Sequence, residues 1–332
     1  MEPKKQFSRI GLMMLLATII INGLQYLSIF IAKEIPQIAS STDLLLLAGM
    51  LPGYFIGYPV ILYLFKKIPA ETAVQPREMR ISHIFLAFLM TYAITYISSY
   101  IGNFLISLFE KANGTEVENV VDQLLNHIHP ATTLLVAVIL APIFEELLFR
   151  KAVLDRTAKY GEGISIVFCG LLFGLFHGNF SQFAYAFCLG MFFGFIYLKT
   201  KKIIYPIILH ILTNFMGSTV PMFVLDKSNY AEYEAKLTEL MNSPEYTDEA
   251  ATALSLEYSG GILLMFGYLL VMLSMFVAGV VLLIIKRKKF TLNPGELPIE
   301  KNERLRTLFF NPGMILFTLF WVVMIVMQLF GI

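Results

Sequence analysis

Polar and ionisable side chains lie in segments of this chain that are otherwise apolar. An ionisable group at the centre of a membrane span costs about 2.5–3.5 kcal/mol on insertion scales, so such a group indicates a function by default. The group comprises carboxylates, imidazoles, an amide and a guanidinium, which together could activate water and stabilise an oxyanion. Its members are Glu145, Glu146, Arg150, His177, His210 and Asn214.

Helical spacing separates the two adjacent glutamates. Glu146 and Arg150 are four residues apart, so we expect them to share a helix face and to pair. Glu145 is rotated by about 100° from Glu146, which leaves its carboxyl group free to act as a general base or acid. His210 and Asn214 are also four residues apart, and we expect both to donate hydrogen bonds into one space.

Two catalytic chemistries fit these residues. In the first, Glu145 and His177 polarise a water, while His210 and Asn214 stabilise the oxyanion formed when that water attacks a peptide carbonyl. In the second, Glu145, His177 and His210 bind zinc and leave one coordination position open. Taken singly, each residue also has an ordinary role in helix packing, interhelical hydrogen bonding or interfacial pairing.

Membrane helices must position these residues. The chain has 332 residues, of which 57% are hydrophobic and 15% charged, whereas soluble domains carry about 25% charged residues. Apolar runs of about 20 residues predict an all-α fold, a polytopic transmembrane helical bundle of about nine spans, with eight as the alternative. The predicted spans are 10–32, 43–65, 82–109, 131–149, 163–180, 182–199, 203–225, 260–285 and 312–331.

Charge in the loops predicts the orientation of the bundle. Every second loop carries lysine and arginine, so we expect the N-terminus to be cytoplasmic and the C-terminus outside. The first apolar run is too long for a signal-peptide core, and we interpret it as a retained span. The protein is therefore predicted to lie in the cytoplasmic membrane of a bacterium. The basic clusters fall within 4–9, 66–80, 150–159, 199–202 and 286–289.

The chain divides into four predicted regions. The first carries three spans and, at 116–128, a short interfacial helix that precedes span four. The second is the core with the candidate site, the third is an acidic loop outside the membrane, and the fourth carries the last spans. Their bounds are 1–130, 131–225, 226–259 and 260–332.

The spacing of the polar residues resembles the motif series of the CPBP family, the CAAX-type prenyl proteases and bacteriocin-processing proteins also called the Abi family. The matching motifs cover roughly residues 131–220. They are Glu145-Glu146-x-x-x-Arg150, Phe173-x-x-x-His177 and His210-x-x-x-Asn214.

The resemblance implies an intramembrane endopeptidase with membrane-associated proteins or peptides as substrates, and no nucleic-acid partner. It implies that Glu145 and His177 activate water and that His210 and Asn214 polarise the substrate carbonyl, with Glu146 and Arg150 in support. A metal-free mechanism is favoured because Asn214 completes an oxyanion hole better than a zinc shell. The alternatives are a non-catalytic immunity or scaffold protein and, third, a proton-coupled transporter.

The depths of the motifs predict one further feature. Counted from the basic loops, His177 lies deeper in the membrane than Glu145. The two can meet if span four continues as a helix to about residue 158 and turns near residue 160. We then expect residues 178–182 to be irregular or re-entrant and buried in protein. A separation above about 10 Å between Glu145 and His177 would contradict the catalytic interpretation, because one water could not bridge them.

Overall fold

A computed structural model describes residues 2–70, 75–119 and 128–331 as helices and their connections, with no strand among them. Eight of the described helices are long and apolar enough to cross a membrane, and a ninth, short apolar helix lies in the middle of the chain. This arrangement confirms the prediction of a polytopic helical bundle. The long helices are α1 (Pro3–Lys33), α3 (Thr42–Phe65), α4 (Ile81–Asn113), α5 (Pro130–Tyr160), α7 (Phe180–Thr200), α8 (Ile204–Ser228), α11 (Ser259–Lys289) and α13 (Pro312–Phe330).

The remaining described helices are shorter. They are α2 (Pro36–Ala39), α6 (Glu162–Phe176), α9 (Tyr230–Met241), α10 (Asp248–Glu257) and α12 (Arg304–Leu308). Helices α9 and α10 occupy the segment predicted as an acidic loop. Residues 116–119 of the predicted interfacial helix are not helical, and residues 120–127 lie outside the described residues.

Helix α5 is longer than its apolar run. It continues to Tyr160, about as far as the geometry of the motifs required, and ends at Gly161, whose φ of 122° favours glycine. Two stretches, Leu134–Leu140 and Leu147–Leu154, are π-helical, and they flank the α-helical turn that holds both glutamates. Pro142 lies in this turn and cannot donate a backbone hydrogen bond, which is consistent with a local change in helix winding.

Helix α6 is too short to cross the hydrocarbon core of a bilayer on its own. Its 15 residues span about 22 Å, short of the roughly 30 Å hydrocarbon core. The chain turns at Gly178, which has a φ of 68°, and Asn179 caps α7 by accepting a hydrogen bond from the Gln182 amide at 2.9 Å. Residues 178–182 are buried or half-buried. The predicted break is therefore confirmed, but it is confined to the turn, since α7 begins at Phe180.

The connections of the bundle meet at two opposite ends. At one end, which we call the basic face, Arg156 donates to the Phe65 and Ile68 carbonyls, and Glu162 pairs with Lys199 at 2.5 Å and accepts from the Asn293 amide. At this end lie the segments 66–70, 75–80, 158–162, 200–203 and 286–303.

The other end, which we call the acidic face, carries helices α9 and α10. There the His129 amide donates to Asp43 at 3.0 Å, and Gln328 donates to the Glu118 carbonyl at 3.1 Å. At this end lie the segments 34–41, 114–119, 128–130 and 229–258. Connections alternate between the two faces along the whole described chain, with α6 and α7 as a hairpin that returns to the basic face.

One ion pair on the basic face links two connections. Glu78 contacts the ammonium group of Lys202 and accepts a hydrogen bond from the Tyr205 hydroxyl at 2.6 Å. These hydrogen bonds, with that of Lys202 the stronger, lower the pKa of Glu78 below its ordinary value. The segment before α4 is thereby held against the start of α8.

Candidate active site

The antiparallel contact between α5 and α6 brings the first two motifs to one level. Phe149 packs edge-on against Phe173 with ring centroids 4.9 Å apart, and the Cys169 thiol donates to the Phe149 carbonyl at 3.2 Å. This register pairs residues on either side of the turn at Gly161, so Glu145 faces the end of α6, where His177 lies. The predicted pairing across residue 160 therefore describes the fold.

Glu146 and Arg150 form a fully buried ion pair. The guanidinium donates to both carboxylate oxygens, at 2.7 and 3.1 Å, and both side chains have no exposed surface. A third nitrogen of Arg150 contacts the Cys169 sulfur at 3.2 Å. The predicted pair is thus present, and it is linked to a fourth residue, because His210 Nδ1 lies 3.0 Å from Glu146 Oε1.

The contact with Glu146 orients His210. A carboxylate paired with arginine accepts hydrogen bonds only, so His210 Nδ1 carries a hydrogen and donates it. The other ring nitrogen, Nε2, lies 3.8 Å from Glu145 Oε2. Phe173 and Phe193 hold the ring from two sides, with centroid distances of 5.7 and 5.4 Å. One glutamate therefore fixes the imidazole, and the other faces its free nitrogen.

His177 is oriented by its own helix. Its Nδ1 lies 2.7 Å from the Phe173 carbonyl oxygen, which can only accept, so Nδ1 carries the hydrogen. Nε2 of the neutral ring is then a hydrogen-bond acceptor. The ring packs edge-on against Phe173 at 4.8 Å. Each of the two histidines consequently uses Nδ1 for structure and keeps Nε2 for other contacts.

Asn214 donates one amide hydrogen to the Ala137 carbonyl of α5, at 2.8 Å. This bond crosses from α8 to the π-helical stretch of α5. An amide nitrogen has two hydrogens, so a second donor remains for another acceptor. One Asn214 hydrogen is therefore used between helices, and the expectation that His210 and Asn214 donate into one space stays a prediction.

These side chains border a single cavity of about 260 Å³. Four of the six predicted residues line it, and Glu146 and Arg150 lie behind its wall. The carboxyl-bearing side chain of Glu145 keeps 18% of its surface exposed, in contrast to Glu146. The predicted residues on this cavity are Glu145, His177, His210 and Asn214.

The cavity also has polar members that the spacing analysis did not single out. Tyr54 of α3 stacks on Phe144 with centroids 5.4 Å apart, next to Glu145. Gln182 donates to the Tyr185 hydroxyl at 2.8 Å on the wall formed by α7. These residues belong to none of the three motifs, so only the packing of α3 and α7 around the cavity identifies them.

The zinc alternative fits this geometry poorly. Among the described residues, no three side chains of histidine, cysteine, aspartate or glutamate are grouped closely enough to hold a metal ion. His210 Nδ1 is taken by Glu146, and its Nε2 lies 3.8 Å from Glu145, longer than the separations of roughly 3 Å between ligands of one zinc ion at 2.0–2.1 Å.

Known proteins match the same part of the chain. Residues 127–216 match the family model of type II CAAX prenyl endopeptidases, described as Rce1-like. A protein of Bacillus subtilis (strain 168), named "Putative membrane peptidase YdiL", is 28% identical over 188 residues, which are 55% of this chain and 74% of that protein. No solved structure matches the chain. The match to the family model covers all three motifs.

Proposed function

We propose that this chain, which carries a core of the CPBP family of CAAX-type proteases, is an intramembrane endopeptidase that uses Glu145 and His177 to activate water. The observation that supports this proposal most strongly is the different environment of the two adjacent glutamates. Glu146 is fully buried between Arg150 and His210, while Glu145 opens into the cavity. A carboxylate that needs no structural partner is available for proton transfer.

The first step is attack of water on a peptide carbonyl. The water donates one hydrogen bond to Glu145 and one to Nε2 of His177. As the water oxygen forms a bond to the carbonyl carbon, Glu145 takes one proton, and the carbonyl oxygen becomes an oxyanion. The substrate carbonyl lies between this water and the amide group of Asn214.

The oxyanion is stabilised by two donors on α8. The second amide hydrogen of Asn214 is one of them, and the Nε2 hydrogen of the doubly protonated His210 ring is the other. In that state Nδ1–H of His210 still donates to Glu146. The positive ring then faces the Glu146 carboxylate, which matches its charge, while Glu145 carries the proton taken from the water.

The second step breaks the carbon–nitrogen bond. Glu145 returns its proton to the leaving nitrogen, the oxyanion collapses, and the products are a new carboxyl terminus and a new amino terminus. The residues used in both steps are the same, so a single carboxyl group serves first as base and then as acid.

The test is quantitative mapping of new protein termini in membranes that contain either the wild-type chain or Glu145→Gln at matched expression. The matched control is Glu249→Gln, which removes an exposed carboxyl group on α10. We expect termini that are present with wild type and Glu249→Gln and absent with Glu145→Gln. These termini would also identify the substrate.

The scaffold and transporter alternatives predict different results. If Glu145→Gln leaves every terminus unchanged and still complements a deletion strain, the chain is a binding or immunity protein. A transporter requires a path to both faces, whereas described side chains between the cavity and the basic face, such as Leu148, Phe149 and Arg150, are fully buried.

A further inference from the structure

Along α3 and α5, the cavity extends from Glu145 in one direction. Along α3 it runs from Tyr54 to Leu46, eight residues or about 12 Å. Along α5 it runs from Glu145 to Thr133, twelve residues or about 18 Å. Its far end is bordered by Ile128, next to the contact between His129 and Asp43 on the acidic face. The cavity thus leads from the glutamate towards the acidic face.

The opposite direction is closed by a layer of packed side chains. This layer lies between Glu145 and the turn at Gly161, and its members are at most 1% exposed. It combines the buried ion pair with aromatic and aliphatic groups, so it is both charged and tightly packed. Its members are Glu146, Leu148, Phe149, Arg150, Phe173 and Leu209.

The walls along the path are mostly apolar or small. On the walls that α3 and α5 contribute, Met50 and Val136 alternate with Ala137 and Ala141, so the path is lined mainly by hydrocarbon until it reaches the polar group at Glu145. An extended polypeptide places apolar side chains against such walls and carries its own carbonyl groups to the polar end.

From this shape we infer that the substrate is a polypeptide segment that reaches Glu145 from the acidic face, opposite the lysine- and arginine-rich connections. By the positive-inside rule that face is extracytoplasmic. The substrate class is then a membrane-anchored protein or peptide whose scissile bond enters from outside the cytoplasm, with apolar residues next to that bond. The inference rests on the proposed function for the identity of the occupant, but the path itself does not depend on catalysis.

The test uses single cysteines and a charged, membrane-impermeant methanethiosulfonate in right-side-out and everted vesicles. The background protein for these variants carries Cys188→Ala and keeps Cys169, which is fully buried. Leu46→Cys and Ala141→Cys report on the outer and inner parts of the path. Glu249→Cys marks the acidic face and Lys301→Cys marks the basic face.

We expect both path cysteines to react from the same side as Glu249→Cys, at least about ten-fold faster than from the side of Lys301→Cys, because thiol reactivity follows exposure. Glu249→Cys should react in right-side-out vesicles. Reaction of Ala141→Cys from the side of Lys301→Cys would overturn the inference. So would no reaction from either side in a variant that remains monodisperse, because the path would then open into lipid.

The same vesicles separate this inference from the proposed function. If the path cysteines react as expected and no terminus depends on Glu145, the protease proposal fails and the path stands. If cleavage depends on Glu145 but the new termini map to cytoplasmic segments of substrates, the protease proposal stands and the inference on access fails.

Discussion

At the scale of single residues, the adjacent glutamates of α5 differ because a helix turns by about 100° per residue. Glu146 points into the protein, where Arg150 and His210 satisfy it, and Glu145 points into the cavity. Burial of an ion pair is tolerated because its hydrogen bonds are made. The difference predicts separate consequences for the two carboxyl groups.

Glu146→Gln should destabilise the protein by about 3–5 kcal/mol, because Arg150 would remain buried without its counter-charge. The measurement is unfolding of the purified protein in detergent, followed by temperature or denaturant. Glu145→Gln and the exposed Glu249→Gln are controls that should stay within about 0.5–1 kcal/mol of wild type. Equal stability of Glu146→Gln and wild type would contradict the structural role of the pair.

Asn214→Asp should lower kcat by about 10²–10³-fold with a smaller effect on KM, because it removes a donor where the oxyanion forms. The assay uses the substrate that terminus mapping identifies. Asn113→Asp is the matched control, since Asn113 also donates to a backbone carbonyl but lies exposed near the end of α4. If both variants lose activity equally, the loss cannot be assigned to weaker stabilisation of the oxyanion by residue 214.

At the scale of elements, the hairpin of α6 and α7 places His177. The two helices pack closely where Gly170 faces Gly190, since an added Cβ at Gly190 would lie 3.0 Å from the Gly170 Cα. The turn at Gly178 presses against Trp321 of α13. The depth of His177 therefore depends on one turn and on one helix from the far end of the chain.

Gly178→Ala should lower both stability and activity. The new Cβ would lie 2.5 Å from the Trp321 ring. The backbone at residue 178 has a φ of 68°, a conformation that costs an L-residue about 1–2 kcal/mol. Gly267→Ala in α11 is the matched control, because nothing lies within 4 Å of its added Cβ. The measurements are unfolding in detergent and terminus formation. If both variants lost stability and activity to the same extent, a specific role for the turn would be refuted.

At the scale of the whole molecule, the alternation of connections implies that the chain ends lie on opposite faces. Gly313 donates its amide hydrogen to Ser8, which puts the start of α13 beside the start of α1 on the basic face. Helix α13 then ends near Glu118 on the acidic face. The re-entrant hairpin does not change this relation, since α6 and α7 leave and return on one side.

Reporter fusions test this arrangement in cells. Alkaline phosphatase fused to the C-terminus should be active, and the same enzyme inserted between α3 and α4 should be inactive, because it folds only outside the cytoplasm. Green fluorescent protein at the two positions should give the opposite pattern. Activity of the phosphatase at both positions would contradict the predicted orientation.

Hydrophobicity and residue spacing alone predicted the membrane bundle, the pairing of Glu146 with Arg150, and four of the polar residues that line the cavity. These features depend on hydrophobicity, helical periodicity and the cost of polar groups in lipid, all of which are local. Even the continuation of α5 to the turn near residue 160 followed from the depths of the motifs.

Only the tertiary structure decided the tie between Glu146 and His210, the bond from Asn214 to Ala137, and the direction of the cavity. These contacts join helices that are distant in the chain, and their geometry depends on π-helical turns and side-chain packing. No residue spacing encodes such contacts, because the rotation of one helix against another is set by all the side chains between them.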